Sequence, residues 1–192
     1  MVNINRKVDR RTLYTIQIVK DSFLKLVDEN GYSKITVAKL CRKAGITRTT
    51  FYLHFDNVTS LLNSVLDDAL DFELVSENMS FNNESFIPAC QRVAKSGKYQ
   101  ALFMDSNLTE YIIGRIYAHE KEKMIPDIMK KTSLNQKDAD LLFQYTLRGS
   151  FYVNYQHHWQ RTTAWKHDVK LMNYFVEHGY KAFHERHINN TN

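Results

Sequence analysis

Ile35-Thr36-Val37-Ala38-Lys39-Leu40-Cys41-Arg42-Lys43-Ala44-Gly45-Ile46-Thr47-Arg48-Thr49-Thr50-Phe51-Tyr52 is the stretch whose reading decides the fold of this chain. Thr36 stands where an N-cap is wanted, ahead of a short helix over Val37–Ala44. Gly45 ends that helix, because a residue without Cβ enters left-handed backbone at little steric cost. Thr47 then caps a second helix, from Arg48 to about His54. Two short helices joined by a tight glycine turn form a helix-turn-helix. Ala38 is small enough to let the two approach, and Ile46 is an apolar plug under the turn. Leu40, Cys41, Phe51 and Phe55 form the side that meets a core.

Upstream, Leu13, Ile16, Val19, Phe23, Leu26 and Val27 recur at three- and four-residue steps, which predicts an amphipathic helix from Thr12 to Asn30, stopped by Gly31. Downstream, Asn57 caps a fourth helix carrying Leu61, Leu62, Val65, Leu66, Ala69 and Leu70 inward. After a polar gap, Ser85 caps a further segment with Pro88 in its first turn, and Gly97 breaks it. A helix follows from Thr109 to about Ile125, where Pro126 imposes a boundary or kink. Ser133 or Asn135 caps a long helix reaching Trp159. The last helix runs from about Ala164 to His184, with Val169, Met172, Phe175, Val176, Gly179 and Phe183 inward. The reading is all-α, about nine helices and no strand. It divides into a helix-turn-helix domain over 1–56 and a helical domain over 57–192.

Composition agrees. Only 6 Gly and 2 Pro in 192 residues supply too few turn formers for a sheet-rich fold. Cys41 and Cys90 both fall in apolar helical contexts and read as reduced core residues, not a disulfide framework. The first 15 residues are polar and basic, unlike a signal peptide, and no apolar run approaches the roughly 20 residues of a membrane span, so a cytoplasmic chain is expected.

Charge is divided unevenly. Residues 1–56 hold 11 Lys+Arg against 5 Asp+Glu, a net +6, whereas residues 57–192 hold 15 against 16, a net −1. The excess positive charge therefore points to a polyanion partner for the N-terminal third. Thr47, Arg48, Thr49 and Thr50 offer short hydroxyls and one guanidinium suited to base edges in a major groove. Tyr52 and His54 follow where backbone phosphate is met. Lys39, Arg42 and Lys43 on the first helix of the pair, and Arg6, Lys7, Arg10 and Arg11 before it, would neutralise phosphates and make binding salt-dependent. The competing reading is a motif used for packing, with Thr47–Thr50 as capping residues, in a helical protein-interaction module that reads no DNA.

Gly31-Tyr32-Ser33-Lys34-Ile35-Thr36-Val37, Ala44-Gly45-Ile46-Thr47-Arg48-Thr49-Thr50-Phe51-Tyr52-Leu53-His54-Phe55 and Leu61-Leu62 resemble the tetracycline-repressor (TetR) family, in detail over about residues 11–66. The resemblance implies an all-helical homodimer that binds a palindromic double-stranded DNA operator, most often as a repressor. It also implies a C-terminal domain for dimerisation and a small-molecule effector. Thr36, Thr47, Arg48, Thr49, Thr50, Tyr52 and His54 match positions that touch DNA in the family. Where the fourth helix often begins with a phosphate-contacting Lys, this chain has Val58, preceded by Asp56, which shifts the expected backbone contacts toward the basic arm. Leu147-Arg148-Gly149-Ser150-Phe151 through Trp159 is similar to a C-terminal type found near regulators of dihydroxyacetone kinase genes.

Two patterns in the C-terminal part each carry two readings. Gly149 and Gly179 allow close helix approach, either in a four-helix dimer interface or in packing within one chain. Tyr145, Tyr152, Tyr155 and Trp159, at steps of seven, three and four, form either core or one wall of a ligand pocket, with Phe103 and Tyr111 as further candidates. His157-His158 and His184-Glu185-Arg186-His187 lack the accompanying ligands of a metal site, so no metal is expected. No nucleophile elbow, phosphate loop or dinucleotide fingerprint occurs, so no enzyme and no cofactor are expected. The run His119–Lys123 reads as a solvated helix face.

Overall fold

The computed structural model of the chain describes residues 10–71 and 97–190. Eight α-helices and one 3-10 turn fill these residues, with no strand among them. The helix expected after Ser85, together with Cys90, Arg6 and Lys7, lies outside the described residues. The chain forms two compact units, Met1–Asp67 and Asp68–Asn192, so the division falls inside the fourth helix.

In the N-terminal unit, α1 (Arg10–Asn30) begins two residues earlier than the periodicity suggested. Val19, Phe23, Leu26 and Val27 are buried as expected, but Leu13 is exposed. Length explains this. At ~1.5 Å per residue, the 21-residue α1 is far longer than its partners α2 (Val37–Ala44, 8 residues) and α3 (Arg48–Tyr52, 5 residues), so its first turns extend past their core. Gly31, at φ 76°, leads into the 3-10 turn Tyr32–Lys34, which the periodicity did not reveal.

Local chemistry sets the ends of the next elements. Thr36 Oγ1 accepts from Lys39 N (3.3 Å) at the start of α2, and Gly45 ends it at φ 67°, ψ 32°. Thr47 Oγ1 accepts from Thr50 N (3.1 Å) at the start of α3. The α3 helix stops at Tyr52, two residues short of expectation, because His54 N turns back to Phe51 O (3.0 Å) in a tighter turn. Asn57 and Ser60 cap α4 (Val58–Asp71) reciprocally: Ser60 N donates to Asn57 Oδ1 (2.8 Å) and Asn57 N to Ser60 Oγ (3.2 Å). Leu40, Cys41, Phe51 and Phe55 are buried with Phe23 and Leu61, while Ala38 and Ile46 are half-buried. The ammonium of buried Lys20 donates to Ser64 O (3.2 Å) and ties α1 to α4.

In the C-terminal unit, a short α5 (Gln100–Met104) precedes three long helices: α6 (Thr109–Thr132), α7 (Gln136–Gln156) and α8 (Thr163–Asn190). Pro126 does not end α6; the helix continues through it to Ser133, which takes the left-handed conformation (φ 60°) as its C-cap. Asn135 is the cap of α7, accepting from Asp138 N (3.0 Å). Ile112, Ile116, Ile128, Phe143, Leu147 and Phe151 build the interior. Glu120 is buried beside His119 (3.3 Å), so the run His119–Lys123 is not wholly solvated.

The α7 helix stops three residues before Trp159, because His158 and Trp159 are left-handed (φ 51° and 56°). That corner swings Trp159 into edge contact with Phe103 (4.8 Å between ring centroids) and Phe151 (5.2 Å). Buried Asn154 accepts from the Trp165 indole (2.9 Å) and donates to Ser150 O (2.8 Å). His167 and His157 both bond the Asp168 carboxylate (3.0 and 2.8 Å) and hold its carboxyl below the usual carboxylate range. On α8, Val176 and Tyr180 are buried, but Phe175 and Phe183, expected inward, are exposed. Gly149 faces Met172 of the same chain, which supports the intramolecular reading at that position; a Cβ at Gly179 would meet no atom within 4 Å.

A Cβ at Gly45 would also meet no atom within 4 Å. Gly45→Ala should therefore incur only the left-handed backbone cost, about 1–2 kcal/mol, read as a lowered urea midpoint at unchanged m-value. Gly45→Asn should lose less, and an unchanged midpoint for Gly45→Ala would show that the turn imposes no such constraint.

Candidate DNA-binding surface

Nine of the residues predicted to meet DNA lie in the N-terminal unit around α2 and α3. Thr36, Lys39, Lys43, Thr47, Arg48, Thr49 and Tyr52 are exposed, and Thr50 and His54 are half-buried. They do not have equal chemical freedom. Thr47 Oγ1 caps α3 and shares a second hydrogen bond with Thr50 Oγ1 (2.9 Å), so these hydroxyls stabilise the helix tip. Arg48 and Thr49 occupy the exposed first turn, where an inserted helix meets base edges. The Lys39 ammonium donates to Lys34 O (2.9 Å) at the end of the 3-10 turn. The Lys43 ammonium pairs with Glu29 Oε1 at 2.6 Å, so a carboxylate from α1 already partners one of the predicted phosphate ligands.

Sequence reasoning missed that pair, since the 14-residue separation matches no helical step. It also passed over Leu53, which is 74% exposed between Tyr52 and His54. Arg10 and Arg11 are exposed, but in the first turn of α1 and not in an arm. Val58 is half-buried at the start of α4 and Asp56 is exposed beside it.

The six proposed pocket residues do not share one lining. Phe103 and Trp159 are buried in the aromatic cluster, Tyr155 is half-buried, and Tyr111, Tyr145 and Tyr152 are exposed. The reason is the corner at His158, which removes Trp159 from the stripe that ideal helical spacing would continue. Trp159 Nε1 is buried with no hydrogen-bond acceptor. A separate shallow cleft of about 120 Å³ lies between α6 and α7, lined by Glu110, Ile113, Gly114, Tyr117, Gln144 and Arg148, with Leu147 at its floor. There the Tyr117 hydroxyl donates to Asp140 Oδ1 (2.7 Å), and this bond, followed by burial, pushes the phenol pKa up. No group of three or more His, Cys, Asp or Glu that could hold a metal ion occurs among the described residues. No described helix is long and apolar enough to cross a membrane.

A capped, exposed recognition helix on an all-α scaffold defines a transcription regulator of the helix-turn-helix class. Residues 23–65 match the family model of the bacterial regulatory proteins, tetR family. Over that segment, which holds the helix-turn-helix, the chain is similar to the TetR family of regulators. It is 27% identical over 139 residues to the HTH-type dhaKLM operon transcriptional activator DhaS of Lactococcus lactis subsp. lactis (strain IL1403), covering 70% of this chain and 73% of that protein. It is 34% identical over 62 residues to the HTH-type transcriptional regulator YxbF of Bacillus subtilis (strain 168), covering 32% of this chain and 16% of that protein. The fold is shared with the fatty acid degradation regulator FadR from Bacillus halodurans (TM-score 0.56, 15% identity, 92% of this chain and 97% of that one). It is also shared with the solved dihydroxyacetone kinase operon activator DhaS (TM-score 0.53, 15% identity, 89% and 98%).

The hydrogen bonds separate two neighbouring threonines. Thr47→Val removes the α3 cap and should lower unfolding free energy by about 1 kcal/mol in a denaturant titration. Thr49→Val should leave stability within about 0.5 kcal/mol while reducing discrimination between specific and non-specific DNA. Equal stability losses for both would remove the distinction.

Proposed function

We propose that this chain binds a palindromic operator as a homodimer, reading bases with Arg48 and Thr49 and phosphates with Lys39, Tyr52, His54 and the basic first turn of α1. The observation that carries the reading is the exposed Arg48–Thr49 tip, held in place by the Thr47 cap. Thr36 and Thr50 contribute through their positions at the two helix starts, and Lys43 contributes to the extent that phosphate displaces Glu29. A helix-turn-helix of this type reads two half-sites about one DNA turn apart, roughly 34–36 Å, and so needs a two-fold partner.

The partner surface is the exposed apolar side of α7 and α8. Leu141, Tyr145 and Tyr152 on α7, with Leu171, Tyr174 and Phe175 on α8, are all more than half exposed in one chain. Several large apolar side chains left exposed along two helices favour an association site, and two such helices from each of two copies make a four-helix interface.

In the C-terminal unit a small-molecule effector would act by binding one spacing of the recognition helices better than another, since only differential affinity shifts an equilibrium. Trp159, with an indole N–H that finds no acceptor, is a natural contact for it. Repression results where the operator overlaps a promoter and excludes polymerase; the DhaS relative, named an activator, marks the opposite placement as open to the same fold. A chain of this kind works in the cytoplasm, where the DNA is.

The test is binding to DNA from the chain's own upstream region by fluorescence anisotropy over a salt series. Arg48→Ala should abolish the preference for operator over scrambled DNA. Lys39→Ala should weaken both alike and reduce the slope of log K against log salt by about 0.9. Binding that never exceeds that to scrambled DNA would defeat the reading. Leu171→Glu should yield a folded monomer with weakened operator binding; a dimer of unchanged affinity would locate the interface elsewhere.

A further inference from the structure

The stripe on α7 that we assign to self-association is not purely apolar. Its exposed residues run Leu141, Tyr145, Arg148 and Tyr152, at steps of four, three and four, so a guanidinium sits in the middle of the face. Arg148 Nη2 lies 3.1 Å from Glu110 Oε2, which reaches over from the first turn of α6. Both side chains line the cleft between α6 and α7, together with buried Ile113 and Leu147.

We propose that Glu110 is the counter-charge that allows the Arg148-bearing face of α7 to pair with a second copy of this chain. The proposal rests on the homodimer reading above and deepens it. In one chain Arg148 and Glu110 are 53% and 77% exposed, and an ion pair so wetted contributes little to folding. Association changes its worth. In an isologous interface every residue meets an element of the same face. Arg148 is then brought toward like charge and loses water on the side where Leu141, Tyr145 and Tyr152 are covered. A buried charge without its partner is strongly unfavourable, whereas replacing both members of a pair by uncharged groups is often neutral. The same logic selects self over other helical partners, because a face without a matching carboxylate leaves the guanidinium unpaired.

Sedimentation velocity over a dilution series at pH 7 tests this with the full chain, Glu110→Gln, and the double variant Glu110→Gln/Arg148→Leu. Glu110→Gln should raise the dimer dissociation constant about tenfold or more, and the double variant should return it to within about threefold of the original chain. Helical circular-dichroism melts of the dilute chains should coincide, since neither side chain is buried in one copy. Unchanged dimerisation of Glu110→Gln, or a double variant as weak as the single, would overturn the proposal while leaving the homodimer intact. An unsubstituted chain that stays monomeric at micromolar concentration would instead remove the homodimer reading, and this inference with it.

Discussion

Between α2 and α3 the backbone reverses direction through one left-handed residue, Gly45, and the rest of the N-terminal unit depends on that turn. It places Ile46 half-buried below the corner and delivers Thr47 in extended geometry, ready to cap α3. The cap in turn fixes a helix of only five residues, too short to stand by itself. Phe51, fully buried, anchors the inner side of that helix, and Arg48 and Thr49 stand exposed in its first turn. A chemical surface of a few polar groups is thus positioned by one backbone conformation, one hydroxyl and one aromatic ring.

This explains why the N-terminal unit was legible in the sequence. Its instructions are local: Thr36, Gly45, Thr47 and Asn57 each act within three or four residues, and the structure puts each where the spacing requires. The C-terminal unit carries fewer such signals. Pro126 signals a boundary or a kink, and α6 runs on through it with Ile125 and Ile128 buried on either side. The end of α7 was misplaced because nothing in Gln156-His157-His158-Trp159 announces two left-handed residues; burial of the Trp159 ring against Phe103 and Phe151 offsets their strain. Tertiary burial, which the sequence does not display, decided both.

Electrostatics show the same limit at the candidate site. The net +6 of the first 56 residues was visible from composition, but its distribution was not. The Lys43 ammonium is shared with Glu29 and that of Lys39 with a backbone carbonyl, so the local cationic strength is below the formal count. Phosphate has to compete with these partners. The exchange is a modest one for a surface pair; in the proposed function α2 would then tune affinity while Arg48 at the tip would set preference between sequences.

The exposed aromatics of α7 and α8 resist explanation within one chain. Periodicity assigned Phe175 and Phe183 to the interior because a helix with apolar residues on several sides gives no sign of which side meets its own chain. In the structure Val176 and Tyr180 take the intramolecular side, and Leu171, Tyr174 and Phe175 of α8 are left facing water, as are Tyr145 and Tyr152 of α7. Leaving so much apolar surface wet costs roughly 25 cal/mol per Å², a persistent driving force for covering it. In the homodimer we propose, a second copy would cover it with an identical surface and would at the same time supply the second recognition helix that a two-fold operator demands. One unpaired face and one unpaired reading head therefore have the same remedy.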